Sequence, residues 1–172
     1  MNLAQYQRRL YQLIREHDTL RADDSAWLKT QVDRGRVALT REISDWWVAY
    51  NVEIGCVLSA RLLRRLDLWQ AALDGVVVSG PAIAYLPDLT DFFLARLSEH
   101  GHSVVAALAR FERALIGLKN GAATRQEIPW PVHPLHLLNA LLEDEPLPEP
   151  DGNAYETVVS PEFPEGYKAY AL

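Results

Sequence analysis

Asn153-Ala154-Tyr155-Glu156-Thr157-Val158-Val159-Ser160 alternates its side chains with a period of two: Tyr155, Thr157 and Val159 on one face, Glu156 and Val158 on the other. Aromatic and β-branched residues at that period predict a strand. Upstream, Glu143 to Asp151 holds Pro146, Pro148 and Pro150, five acidic residues and no basic one, which predicts an extended, linker-like segment. Before it, Pro134 suits a first helical turn leading into Leu135, Leu137, Leu138, Leu141 and Leu142. Gln126 to Trp130 alternates weakly and runs into Pro131, the pattern of an edge strand. Tyr167 to Leu172 supplies one more strand. The last third therefore reads strand, helix, strand, strand, a winged-helix-like order confined to residues 122–172.

Residues 1–121 read differently. Leu3, Tyr6, Leu10, Leu13 and Ile14 recur at helical spacing, and Asp23, Asp24 and Ser25 can cap a short helix around Trp27, Leu28 and Val32 that Gly35 ends. Arg36 to Ile43 fits a short strand or an extended lead-in. The pattern is helical again from Ser44 through Trp46, Trp47 and Tyr50, weakens at Gly55, and resumes from Cys56 to Leu66. Asp67 to Ala72 predicts another short helix closed by Asp74 and Gly75; Val76, Val77 and Val78, just before Gly80 and Pro81, predict a turn-rich connection with one short strand. Leu89 to Leu97 is helical up to Gly101. Val104, Val105, Leu108, Phe111, Leu115 and Leu118 draw the cleanest helix, stopped at Asn120 and Gly121. The expected class is α+β, mainly α: a helical domain over 1–121 with a small antiparallel β region, 122–172, packed on it.

At 172 residues, 49% hydrophobic and 23% charged, the chain can bury a real core without disulfides. A single cysteine, Cys56, excludes an internal disulfide and a cysteine-based metal cluster within the chain. The net charge of −6 argues against nucleic acid as a partner. It is unevenly spread: residues 1–66 hold 11 Lys and Arg against 8 Asp and Glu, residues 67–172 hold 6 against 15. No secretory signal or membrane span is read, so a cytoplasmic protein is expected.

No short catalytic signature is present. His100 and His102 flank Gly101 and read as turn residues; His133 and His136 share a helix face around Pro134 without a third ligand nearby in sequence. Cys56 reads as a small buried apolar residue. Arg61, Arg64 and Arg65 fall on one helical face, either a solvated surface or a dock for carboxylates; Arg110 and Arg113 are a smaller version. Trp46 and Trp47, being adjacent, cannot share one buried stripe, so one is expected in the core and the other at an edge or interface.

The run from Glu145 through Pro146, Leu147, Pro148, Glu149, Pro150 and Asp151 to Gly152, with Tyr155 and Ser160-Pro161-Glu162-Phe163, resembles the tail of a known family. These are the partner proteins of multinuclear non-haem iron oxygenases in the biosynthesis of ribosomally made peptides (RiPPs), those of the methanobactin and 3-thiaglutamate pathways included. The Trp46-Trp47 helix running into Cys56, Leu62 and Leu63, and the helix through Phe111 and Leu115, are also similar to segments of such proteins. The resemblance covers about half of the chain. It implies a β region that recognises the leader of a precursor peptide, and a stable complex with a TIM-barrel enzyme. That enzyme holds the iron and modifies a cysteine of the precursor. No catalytic residue, metal or cofactor is then expected on this chain.

With that role, Tyr155, Thr157 and Val159 are expected along a sheet edge that takes the leader as an added strand, with Ile128 and Trp130 on a paired strand and Arg61, Arg64 and Arg65 holding the leader's acids. Trp47, Pro146, Leu147, Pro148 and Pro150 are expected to meet the enzyme. Two rival readings stay open: a winged helix-turn-helix regulator, and a stand-alone enzyme using His133, His136 or Cys56.

Overall fold

The computed structural model describes residues 2–15, 18–32, 34–79, 86–122 and 124–172. Among them are eight helices and one three-stranded sheet. The N-terminal pair is α1 (Leu3–Arg15) and α2 (Ala26–Gln31), the second capped by Ser25, whose side chain accepts from the Leu28 amide. The pair is held by charge. Arg9 lies buried between them and donates to both carboxylate oxygens of Asp24, at 2.7 and 2.9 Å, to Asp18 at 2.5 Å and to the Thr19 carbonyl at 2.6 Å. This bidentate clamp holds the Asp24 carboxyl at about 2, below its ordinary 3.8.

Helix α3 (Arg34–Gly55) corrects two expectations. Gly35 does not end α2 but lies in the first turn of α3, and Arg36 to Ile43 is helical rather than extended. The cause is tertiary. Arg41 reaches from α3 to the end of α1, donating to the Leu13 carbonyl and the Asp18 carbonyl, each at 2.5 Å. Val48 and Val52 continue the same side into the core. Docking of that face outweighs the local cost of a glycine and β-branched residues. The helix stops at Cys56, and α4 (Val57–Arg65) follows. Gly55 is required where it stands, because a Cβ there would collide with the buried Thr90 Oγ1.

The next helix, α5 (Trp69–Ser79), runs through Asp74 and Gly75, where a stop was expected, and takes in Val76, Val77 and Val78, read above as a connection with a strand. Leu73 and Val76, three apart, are buried on one face of it, and Trp69 meets Phe93 edge to face at 6.3 Å. Gly80 and Pro81 lie outside the described residues. Helices α6 (Leu86–Leu97) and α7 (Ser103–Lys119) pack together; α7 ends as expected at Asn120, followed by Gly121 at φ +87°.

Strand β1 (Gln126–Trp130), helix α8 (Pro134–Leu142), and strands β2 (Tyr155–Val159) and β3 (Tyr167–Ala171) complete the winged-helix-like order. The sheet order is β1-β2-β3, antiparallel throughout, with Ile128 opposite Thr157 and Thr157 opposite Ala169. Gly166, at φ +81°, closes the β2–β3 turn. One apolar cluster runs from Val48 and Val52 through Phe93, Leu108 and Phe111 to Ile128, Trp130 and Val159, so the C-terminal region is packed onto the helices without a break. Among the described residues, no helix is long and apolar enough to cross a membrane.

Candidate functional site

The residues expected to line a peptide edge are core residues. β2 is the central strand, so both its hydrogen-bonding edges are used by β1 and β3. Tyr155, Thr157, Val159, Ile128 and Trp130 are all buried. Trp130 donates its indole N–H to Thr157 Oγ1 at 2.8 Å, and Phe111 of α7 stands edge to face against Trp130 at 5.6 Å and Tyr167 at 5.0 Å. The expected docking edge at Tyr155, Thr157 and Val159 is therefore corrected: period-two alternation does identify their shared face, but that face is the one turned to the helices. Tyr155 donates its hydroxyl to Asp151 at 2.5 Å, which lowers the Asp151 carboxyl and raises the phenol, and ties the strand to the end of the proline segment.

The open edges of the sheet belong to β1 and β3. β1 carries Pro129, which has no N–H to offer a further strand. β3 is the more exposed of the two: Lys168, Tyr170 and Ala171 are exposed, and the Lys168 ammonium lies 5.3 Å from the Tyr170 ring centre. Sequence reading found β3 as an element but gave it no role; the signal available was its place as the last strand of the run.

The three arginines of α4 have partners within the chain. Arg61 donates to the Leu141 carbonyl at 2.9 Å; Arg65 donates to the Ala140 carbonyl at 2.8 Å and to the Glu145 carbonyl. Two of the three thus satisfy the carbonyl end of α8 and anchor the start of the proline segment. Arg64 pairs with Glu53 at 2.9 Å and lies over the Trp69 ring at 4.8 Å. Pro146 is exposed, whereas Leu147 and Pro148 are half-buried, Leu147 packing against the core. Leu147, Pro148 and Pro150 form one wall of a cavity of about 490 Å³ whose other walls include Leu62, Leu137 and Val104. The segment lies as a strap over α4, α7 and α8.

Cys56 is fully buried, its sulfur 3.9 Å from the Thr90 carbonyl, and burial pushes the thiol far above its ordinary value, the state of an inert packing residue. Nearby, the buried Glu112 of α7 accepts from the Leu58 and Ser59 amides, both at 2.9 Å, and so caps the N-terminus of α4 from outside the helix. Burial raises its carboxyl above the ordinary value, with the bonds from α4 opposing. His100 accepts from the His102 amide at 3.0 Å in the turn before α7; His133 and His136 stack at 4.1 Å, and His133 meets Tyr155 at 4.9 Å. Among the described residues, no group of three or more His, Cys, Asp or Glu side chains is placed to hold a metal ion.

Trp46 and Trp47 correct a further expectation. Neither is in the core: Trp46 is 58% exposed and Trp47 51%. With Tyr50, 43% exposed, they form an aromatic group on the outer face of α3: Trp46 and Tyr50 stack at 5.3 Å, and Trp47 stands edge-on to both. The buried stripe of α3 is instead supplied by Val48 and Val52 on the opposite side of the helix.

Compared with family models, with curated proteins and with solved structures, the chain matches none.

Proposed function

We propose that this chain is a non-catalytic recognition subunit, working in the cytoplasm, that holds the leader of a ribosomally made precursor peptide and an iron-dependent oxygenase together. The iron, and the oxidation of a precursor cysteine, belong to the other protein. The observation that carries the reading is the outer edge of β3 (Tyr167–Ala171), which ends the sheet with its side chains largely exposed. An extended peptide can add there as a fourth strand through main-chain hydrogen bonds, with Tyr170 and Lys168 offering a ring face and a cation to its side chains. The peptide-binding role given above to β2 thus passes to β3. The strap at Pro146–Pro150 is already extended, so it loses little freedom on contact with a second protein and suits the enzyme interface.

The order β1, α8, β2, β3 also fits a winged regulator. Its helix α8, however, carries no Lys or Arg, and Leu137, Leu138 and Leu141 turn it to the core, which leaves the recognition-subunit reading as the better supported.

The test is co-expression with a candidate iron-dependent oxygenase and its precursor peptide, followed by co-purification and amide hydrogen exchange. Slower exchange confined to residues 167–171 on adding the peptide is expected. Turnover by the isolated chain, or a chain that ignores both peptide and enzyme, overturns the reading.

A further inference from the structure

We propose that the outer face of α3, together with the cleft between α3 and α5, captures a basic amphipathic helix of a protein partner. Leu39, Ile43, Trp46, Trp47, Tyr50 and Ile54 are all exposed and follow one another at steps of three and four, a continuous apolar seam about 22 Å long. Val48 and Val52 bury the opposite face, so α3 is apolar on two sides and only one of them is covered among the described residues. The exposed parts of the three rings alone amount to roughly 300 Å², which already equals the largest apolar patch of many monomers before the aliphatic residues are added.

Charge indicates what covers it. From residue 42 to residue 53 the chain has Glu42, Asp45 and Glu53 and no Lys or Arg; Glu53 already pairs with Arg64 of α4, which leaves Glu42 on the margin and Asp45 and Asp74 at the cleft beside it. Helical geometry places Glu42 and Glu53 on one margin of the seam, and Asp45 beyond them toward α5. Thr40, Ser44 and Asn51 form the other, uncharged margin. On the acidic side lies a cleft of about 480 Å³ lined by Asp45 and Trp46 of α3 and by Gln70 and Asp74 of α5. A long cationic side chain entering it would meet two carboxylates and the Trp46 ring.

The same charges disfavour other occupants. A second copy paired antiparallel on this seam brings the acidic margin onto itself; paired parallel, it sets those acids against uncharged residues. An anionic lipid surface is repelled by the same margin. A helix with apolar residues at steps of three and four and Lys or Arg along one border answers both the seam and the acids. This inference requires nothing of β3 and nothing about what the partner catalyses, so it stands or falls separately from the reading above.

The test uses the full chain and two fluorescein-labelled 18-residue helical peptides that share a leucine seam, one bordered by lysines and the other by glutamates, titrated by anisotropy. The lysine peptide should bind in the micromolar range, at least tenfold more tightly than the glutamate peptide, and more weakly as salt rises. Trp46→Ala and the surface double variant Glu42→Gln/Asp74→Asn should each weaken it fivefold or more with an unchanged melting temperature. Equal affinity for the two peptides overturns the proposal, as does indifference to both variants. A dimer in light scattering that Trp46→Ala dissolves would assign the seam to a second copy, and tighter binding to anionic vesicles than to the lysine peptide would assign it to a membrane; either overturns the proposal as well.

Discussion

Helices α7 and α3 are the two longest of the described elements, and they dispose of their apolar residues in opposite ways. Along α7, Val105, Leu108, Phe111 and Ala114 are buried, and even its Glu112 is taken into the structure as a cap for α4. Helix α3 buries Val48 and Val52 and leaves a whole apolar face, two tryptophans included, in solvent. One helix is the keel of the fold. The other is keel on one side and docking surface on the other. Burial inside a chain is favourable wherever geometry allows it, so apolar residues aligned at contact spacing and left outside point to a surface that another molecule completes.

That contrast can be broken by mutation, and the largest effect is expected in α7. Phe111→Ala removes a ring packed between Trp130 and Tyr167 and should cost about 3–5 kcal/mol, measured by urea denaturation. A loss under 1 kcal/mol would deny α7 its central place.

The N-terminal pair comes next. Arg9→Ala leaves the Asp24 carboxylate, its side chain only 7% exposed, without its bidentate partner and should destabilise α1 and α2 by about 3 kcal/mol, read as faster amide exchange in residues 3–31. Because the Asp24 carboxyl is lowered to about 2, its contribution is present above 3.8 and is lost as pH falls through 2. The variant should therefore lose most of its acid-induced change between those two values, and an unchanged acid profile would remove Asp24 from the clamp.

Glu112→Gln should cost about 1–3 kcal/mol, since an amide can accept through only one of the two atoms that now face the Leu58 and Ser59 amides. The pH dependence has the opposite sign. The carboxyl is raised, so its contribution is full below the ordinary 4.5 and falls as pH climbs through the raised value. The gap between the native chain and the variant should narrow over that climb, and a gap that widens with pH would contradict the assignment. Least affected should be Trp47→Ala: with half of the ring already in water, its unfolding free energy in urea should stay within about 0.5 kcal/mol of the native chain. A larger loss would make the outer face of α3 part of the core and remove the contrast with α7.

Much of the fold was legible in sequence because the signals were local. Ser25 at the start of α2, Pro134 at the start of α8, Asn120 and Gly121 at the end of α7 and the alternation through Tyr155, Thr157 and Val159 each depend on a few neighbouring atoms. The misreadings share a cause. Gly35, Arg36 to Ile43, Val76 and Val77 carry non-helical local preferences worth at most about 1 kcal/mol per residue, and packing against α1 and the core overrides them.

The candidate site was less legible. Alternation shows that Tyr155, Thr157 and Val159 share a face but is silent on strand order, and order is what makes β2 central and β3 the open edge. In the same way, helical spacing groups Arg61, Arg64 and Arg65, but only the approach of α8 shows that two of them serve its carbonyl end.

The amino-acid order by itself determined the class, mainly helical with a small antiparallel sheet, along with the strand, helix, strand, strand order of its tail and the extended acidic segment before β2. Tertiary structure alone decided which side of each element meets water. Periodicity is a property of one segment, whereas burial is a relation between segments distant in the chain, so the open edge of β3 and the uncovered seam of α3 exist only once the elements have packed.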